Sequence, residues 1–143
     1  MSILKLFKLL LRLFPGLFAV WAGFIKLVGN QFTGTSFKIE NIETVNSPEM
    51  VFLFYGNSGI YICIVAVLQL IGGLLLIYKK TSLLGALLCL IIFTNAMLVT
   101  YSFNFAPALV AFFALLNISY LTTLLFEYKR FKNIFIINEN TST

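Results

Sequence analysis

Four long apolar runs, separated by short polar segments, dominate this 143-residue sequence. A helix needs about 20 residues, rising 1.5 Å each, to cross a hydrocarbon core of about 30 Å. Each run has about this length. We therefore predict an all-α protein, a four-helix transmembrane bundle, with spans at about residues 9–29, 60–78, 83–101 and 107–126.

The shortage of charge supports a surface that faces lipid. Charged residues make up 10% of the chain and apolar residues 60%, whereas a soluble domain carries about 25% charged residues. The net charge of +5 invites a nucleic-acid interpretation. However, the basic residues stand at the ends of apolar runs and form no patch with interleaved aromatic residues. We expect the lipid bilayer as a partner and no nucleic acid.

The spans and their connections form a single domain, residues 1–132, and a polar cytoplasmic tail follows, residues 133–143. Residues 1–14 place basic side chains on one helical face and apolar side chains on the other. This pattern predicts a short amphipathic segment at the membrane interface. We expect an uncleaved first span that begins within this segment, at about residue 9, and is kinked at Pro15.

The only substantial loop of the predicted topology covers residues 30–59. Within it, Ser47-Pro48-Glu49 is a helix-start signal, with an N-cap residue, a proline in the first turn and an acid beside it. Gly56-Asn57-Ser58-Gly59 predicts the end of that helix. We therefore expect a short helix at the membrane surface inside the loop.

The distribution of basic residues predicts the orientation. Of the ten Lys and Arg residues, only Lys26 and Lys38 fall on the side of the loop. Basic residues are retained in the cytoplasm, so both termini are predicted to be cytoplasmic and the loop extracytoplasmic. The cytoplasmic group is Lys5, Lys8, Arg12, Lys79, Lys80, Lys129, Arg130 and Lys132.

Each predicted span carries one strongly polar residue. These are Lys26, Gln69, Asn95 and Asn117, at depths of about 5, 14, 9 and 15 Å from the outer face. They share the outer half of the membrane. Small residues at helical spacing accompany them and should let the helices approach closely. These small residues are Gly16, Ala19 and Gly23 in the first span, Ala66 and Gly73 in the second, Gly85 in the third, and Ala111 and Ala114 in the fourth.

Two interpretations of this polar layer stay open. In the first, the amides are hydrogen-bonded glue between helices, on the order of 0.6 kcal/mol each, and Lys26 extends to the outer interface. In the second, the layer is a ligand-binding site between the helices. Asn95 and Asn117 favour the first interpretation, whereas Gln69 and Lys26 suit either.

The sequence lacks the residue types that an autonomous enzyme would use for catalysis. It has no histidine, and no carboxylate lies within a predicted span, so we expect no catalytic residue and no metal site. Cys63 and Cys89 are separated by about 15 Å along the membrane normal, beyond the roughly 7 Å at which a disulfide forms. Trp21 lies deeper than the interfacial tyrosines and faces either lipid or a cavity.

Three segments carry a family resemblance: WAGFIKLVGNQF, YGNSGIY and VLQLIGGLLLIYKKTSLLGALLCLIIFTNAML. They resemble the DoxX-like family of small bacterial membrane proteins, over about residues 13–125. The resemblance implies a four-helix bundle in the bacterial cytoplasmic membrane. Some relatives are associated with thiosulfate:quinone oxidoreductase and others with thiol-redox complexes. The family often has a glutamate where this chain has Gln69, so a Lys26–Glu pair with its proton chemistry is not implied here.

The resulting hypothesis is an accessory subunit of a larger membrane redox complex, linked to quinone or to thiols. Quinone is the candidate cofactor, with Lys26 contacting a carbonyl oxygen and Gln69 and Asn95 adding hydrogen bonds. One alternative is a structural or assembly protein without a ligand, in which the polar layer only fixes helix register. A small-solute transporter is the other, disfavoured by the single intramembrane charge and the lack of an inverted repeat.

Overall fold

The computed structural model describes residues 3–29 and 47–139, and this part of the chain is all-helical. The predictions for residues 30–46 and for the end of the tail, residues 140–143, lie outside the described residues. Five helices follow one another: α1 (Ile3–Leu27), α2 (Ser47–Asn57), α3 (Gly59–Ile77), α4 (Ser82–Ser102) and α5 (Pro107–Glu139).

The second and third predicted spans agree with α3 and α4 to within one residue at each end. Local signals explain this accuracy, because Gly59 follows a turn segment and Lys79-Lys80 ends an apolar run. The helix of the fourth predicted span, α5, begins at Pro107 as predicted but continues to Glu139, through part of the predicted tail. Charges end the apolar stretch at about residue 126, but they do not end a helix that contains no glycine and no proline after its first residue.

The predicted amphipathic segment and the first predicted span form one helix. α1 begins at Ile3 and runs through the buried Pro15 to Leu27. The short helix predicted inside the loop is confirmed, since α2 begins at Ser47 and ends at Asn57. Ser58 then separates α2 from α3.

The four long helices pack in a ring. α1 contacts α3, α3 contacts α4, α4 contacts α5, and α5 closes the ring on α1, while α2 packs against α3. Neighbours are antiparallel, so the bundle has two ends. We call the end with α2 and the α4–α5 turn the α2 end. The opposite end, with Lys79-Lys80 in the α3–α4 turn, is the basic end, and there the Lys8 ammonium lies 4.6 Å from the centre of the Phe126 ring.

Glycines set the closest approach, between α1 and α3. A Cβ atom added at Gly73 would lie 2.7 Å from the carbonyl oxygen of Gly16, and one added at Gly23 would lie 2.7 Å from that of Ala66. Real Cβ atoms do not come this close, so the two backbones touch along most of α3. The predicted small-residue faces of these two helices are therefore buried against each other.

Near the basic end, α3 and α4 touch in the same way. A Cβ at Gly85 would overlap the backbone of Leu75 and Leu76, and one at Gly72 would lie 2.9 Å from the Cys89 sulfur. Around this contact lies the core of the bundle, which is centred on two stacked aromatic side chains, Phe93 and Tyr120, with ring centroids 5.6 Å apart. The other members of this core are Ala19, Leu76, Ala86, Cys89 and Leu116.

Within the described residues, three helical segments are long and apolar enough to cross a membrane: Gly59–Ile77, Ser82–Ser102 and Pro107–Tyr128. Large apolar side chains such as Leu74, Ile91 and Leu115 cover the outside of these helices. A water-soluble protein would expose few of them, so the chain is of the multi-pass membrane type.

Candidate ligand-binding cavity

A cavity of about 710 Å³ opens inside the α2 end of the bundle. All five helices contribute to its wall, and the volume lies within the range of small-molecule sites. The lining is Phe18, Trp21, Ala22, Ile25 and Lys26 of α1; Val51, Phe52 and Tyr55 of α2; Tyr61, Ile64, Val65, Leu68 and Gln69 of α3; Ile91, Ile92, Phe93, Asn95, Ala96, Val99 and Thr100 of α4; Phe105; and Leu109, Phe112 and Phe113 of α5.

Three of the four predicted site residues line this cavity: Lys26, Gln69 and Asn95. Gly23 lies beside Ala66 and Leu70, so Lys26, almost one turn further, is level with about residue 65 of α3. Gly72 of α3 lies beside Cys89 of α4. Asn95 is six residues beyond Cys89 on an antiparallel helix, so it is also level with about residue 65 of α3. Gln69 lies about 6 Å deeper, toward the basic end.

The fourth residue, Asn117, lies away from the cavity. Its side-chain oxygen accepts a hydrogen bond of 3.2 Å from the Thr94 hydroxyl, and its amide nitrogen lies 3.8 Å from the Met97 sulfur. It is buried between α4 and α5. Asn117 therefore acts as interhelical glue, which is the first of the two interpretations.

One polar group on the cavity wall lacks a partner of the kind that Asn117 has. Gln69 is only 3% exposed, and its buried Oε1 accepts no hydrogen bond from the residues that the structure describes. Lys26 is half-buried, and its ammonium makes a long contact of 3.5 Å with the carbonyl oxygen of Ala22. Buried polar atoms normally have partners, and an orphaned one indicates a missing ligand or water.

Aromatic side chains form much of the remaining wall. Phe18 lies at the centre, with its ring centroid 5.0 Å from that of Phe112 and 5.8 Å from that of Phe93. It also contacts Trp21, the only tryptophan of the chain, at 5.7 Å. Trp21 is 58% exposed as well, so it faces both the cavity and the outside. Such a wall suits a flat ring.

α2 closes the cavity at its end, a role that the sequence did not reveal. The Phe52 ring lies 6.0 Å from that of Phe105 in the α4–α5 turn, and the Tyr55 ring 5.5 Å from that of Tyr61. Burial raises the pKa of Tyr55, and the charge and hydrogen bond of Tyr61 add to the rise. The Tyr55 phenol is therefore neutral at physiological pH. An excess of aromatic residues in a short surface helix was the one available signal.

The two cysteines are free and differ in environment. Their predicted separation requires that they are free, and the structure shows Cys89 buried in the core and Cys63 exposed. Cys63 lines a second cavity of about 230 Å³, which Lys26 also borders. Lys26 thus stands between the two cavities.

Comparison of the chain with protein-family models, curated proteins and solved structures finds no match. The DoxX-like resemblance therefore stays a prediction, and the function has to be argued from the cavity.

Proposed function

We propose that this chain crosses a bacterial cytoplasmic membrane four times and holds a quinone-type ligand in the cavity at the α2 end, as an accessory subunit of a membrane redox complex. The observation that carries the proposal is the buried side-chain oxygen of Gln69 on the cavity wall, which has no hydrogen-bond partner among the described residues. The Asn117 amide, which lies between α4 and α5, has one. A ligand hydroxyl that donated to this oxygen of Gln69, as the reduced quinol form carries, would explain why so costly a polar group lies there.

The packing of α1 supports its role as the fourth span. Its contacts with α3 extend from Gly16, beside Gly73 and Ile77, to Gly23, beside Ala66. α1 therefore runs antiparallel along most of a helix that is itself long enough to cross the membrane. A neighbour held at backbone contact over that length shares the same membrane thickness.

The grouping of basic residues supports the orientation. Lys8 lies near the end of the apolar part of α5, and Lys79-Lys80 lies in the turn at the same end of the bundle. With basic residues retained in the cytoplasm, the cavity opens in the outer half of the membrane.

The arrangement of polar side chains favours a ring with oxygen atoms at opposite edges. Lys26 and Asn95 are level with each other on opposite walls, and Gln69 lies about 6 Å deeper. A quinone ring between them would place one carbonyl oxygen beside the Lys26 ammonium and the other toward Gln69. The ligand would supply the electron-transfer chemistry, and the protein would bind it, orient it and exclude water.

Trp21 provides a direct test, because quinones quench tryptophan fluorescence on close approach. We would titrate decylubiquinone into the protein in lipid nanodiscs. Saturable quenching is expected, with affinity reduced in Lys26→Met, which keeps an apolar stem but removes the ammonium. The matched control is Trp21→Phe combined with Leu115→Trp, which moves the reporter to an exposed site outside the cavity. In that control, fluorescence quenching should not saturate and should rise only in proportion to the amount of quinone dissolved in the lipid.

Lipid extraction from protein purified in mild detergent provides a second readout. We expect quinone to accompany the wild type at near-stoichiometric amounts and to fall in Lys26→Met. Quenching without saturation, together with no retained quinone, would contradict the proposal and favour the assembly role.

A further inference from the structure

The cavity wall is incomplete between α3 and α4. Three of its lining residues there are also open to the outside of the bundle: Ile64 at 53%, Leu68 at 36% and Ile91 at 62%. Asn95 is exposed beside them. On the α1–α5 side only α1 contributes an exposed lining residue, Trp21, since Leu109, Phe112 and Phe113 of α5 are all half-buried, and α1 is held against α3 at Gly23.

The opening lies immediately beyond a tight contact of α3 with α4. At Gly72 the helices touch, with room only for the Cys89 sulfur. Beyond this contact, toward the α2 end, the cavity-lining residues Leu68 of α3 and Ile91 of α4 are exposed. The cavity wall is therefore closed at Gly72 and open to the outside beyond it.

Aromatic side chains cover two other sides of the cavity. α2 lies over the end, with Phe52 against Phe105. On the α1–α5 side Phe18 packs edge-to-face against Phe112 at 5.0 Å, and Trp21 beside Phe18 is exposed. Among the described residues, the gap between α3 and α4 joins the cavity to the outside of the bundle, and its rim is apolar except for Asn95.

We propose that this gap is a lateral opening through which the ligand passes between the lipid and the cavity. The inference rests on the proposed function, because it supplies the route for the same ligand. Asn95 stands on the rim without a hydrogen-bond partner among the described residues. It is therefore placed to bond a ligand oxygen as the ring enters from the outer leaflet. A ligand that enters through this opening is soluble in lipid and reaches the cavity without crossing the aqueous phase.

The test closes the gap with a chemical linker. In a Cys63→Ala background, where the remaining Cys89 is buried, Leu68→Cys and Ile91→Cys would be joined by a short bifunctional thiol reagent. The protein is first loaded with decylubiquinone in nanodiscs, then linked, and then mixed with an excess of quinone-free vesicles. Recovery of Trp21 fluorescence reports the release of the probe.

We expect the link to slow release at least about tenfold, as a closed gate does. The unmodified rate is that of the same double variant before linking. The pair Phe14→Cys with Leu115→Cys, two exposed residues of α1 and α5 that do not line the cavity, should release at its own unmodified rate after linking. Release at the unmodified rate after the α3–α4 link, or slowing by the α1–α5 link instead, would overturn the inference.

The two proposals fail in different ways. If no saturable quenching occurs before linking, the proposed function fails and with it the route. If saturable quenching occurs but the link leaves release unchanged, the cavity binds the probe and only the lateral opening is wrong.

Discussion

The Ser119 hydroxyl of α5 donates a hydrogen bond of 3.1 Å to the carbonyl oxygen of Leu11 in α1. Four residues after Leu11 stands Pro15, which has no backbone N–H and cannot donate to that carbonyl. In a membrane no water replaces the missing donor. A side chain from a neighbouring helix therefore satisfies the group that the proline leaves unpaired, and the same bond holds α5 against α1.

This relationship predicts a specific pattern of stability. Ser119→Ala should lower the free energy of unfolding by about 1 kcal/mol. In a Pro15→Ala background the backbone of residue 15 can donate to Leu11, so the cost of Ser119→Ala should become markedly smaller. Unfolding of the four variants in mixed micelles measures the coupling.

Thr122 provides the control for that experiment. Its hydroxyl also donates to a carbonyl, that of Ile118 four residues earlier in α5, but the backbone of Thr122 serves the same carbonyl. Thr122→Val should therefore cost little. Equal costs of Ser119→Ala with and without Pro15 would refute the explanation.

The glycine contacts predict a second stability effect. Gly73→Ala places a methyl group 2.7 Å from the carbonyl oxygen of Gly16. The backbones of α1 and α3 have to separate to accept it, at a cost of about 1–3 kcal/mol. At Gly59 an added methyl group meets nothing within 4 Å, so Gly59→Ala should change stability by less than about 0.5 kcal/mol. Similar effects of the two substitutions on detergent unfolding would show that α1 and α3 do not touch in this way.

Gln69 and Asn117 should respond in opposite ways to loss of the amide. Gln69→Met removes an oxygen without a partner, so the ligand-free protein should gain up to about 1 kcal/mol. The same change should weaken decylubiquinone binding, measured by Trp21 quenching, about tenfold. Asn117→Leu breaks the bond with Thr94 and should destabilise the protein by about 1–2 kcal/mol.

Binding to the folded Asn117→Leu protein should stay unchanged, since Asn117 lies outside the cavity wall. The idea of a ligand-dedicated Gln69 would be wrong if Gln69→Met destabilised the protein as much as Asn117→Leu does.

Cys63 tests the orientation. Its side chain is exposed near the start of α3, whereas Cys89 is buried. A membrane-impermeant maleimide should label intact cells, or right-side-out vesicles, through Cys63, and Cys63→Ala should abolish the signal. Labelling that requires permeabilised membranes would place the α2 end in the cytoplasm and reverse the proposed topology.

Sequence reasoning predicted the elements of this fold well because their signals are local. Gly59, Lys79-Lys80 and Pro107 mark helix ends by their own chemistry. The same signals could not show that α5 continues to Glu139, because the end of an apolar run limits the membrane contact and not the helix.

The helical rise placed Lys26, Gln69, Asn95 and Asn117 in the same half of the membrane, but it could not show which way each side chain points. The first three line one cavity. Asn117 differs because the rotation of α5 about its axis turns it toward Thr94, and that rotation follows from packing against other helices. The Ser119–Leu11 bond escaped prediction for a similar reason, since its partners are far apart in sequence.

The contact of Gly85 with the backbone of Leu75 and Leu76 has a mechanical consequence. Backbones already in contact cannot slide closer, so α4 can move relative to α3 mainly by tilting about this point. Leu68 lies about 12 Å along α3 from the fulcrum. On that lever arm a tilt of about 10° changes the spacing of the helices by about 2 Å, while the fulcrum itself stays fixed. Tilting about Gly85, near the basic end, can thus change the distance between α3 and α4 at the α2 end while the core stays packed.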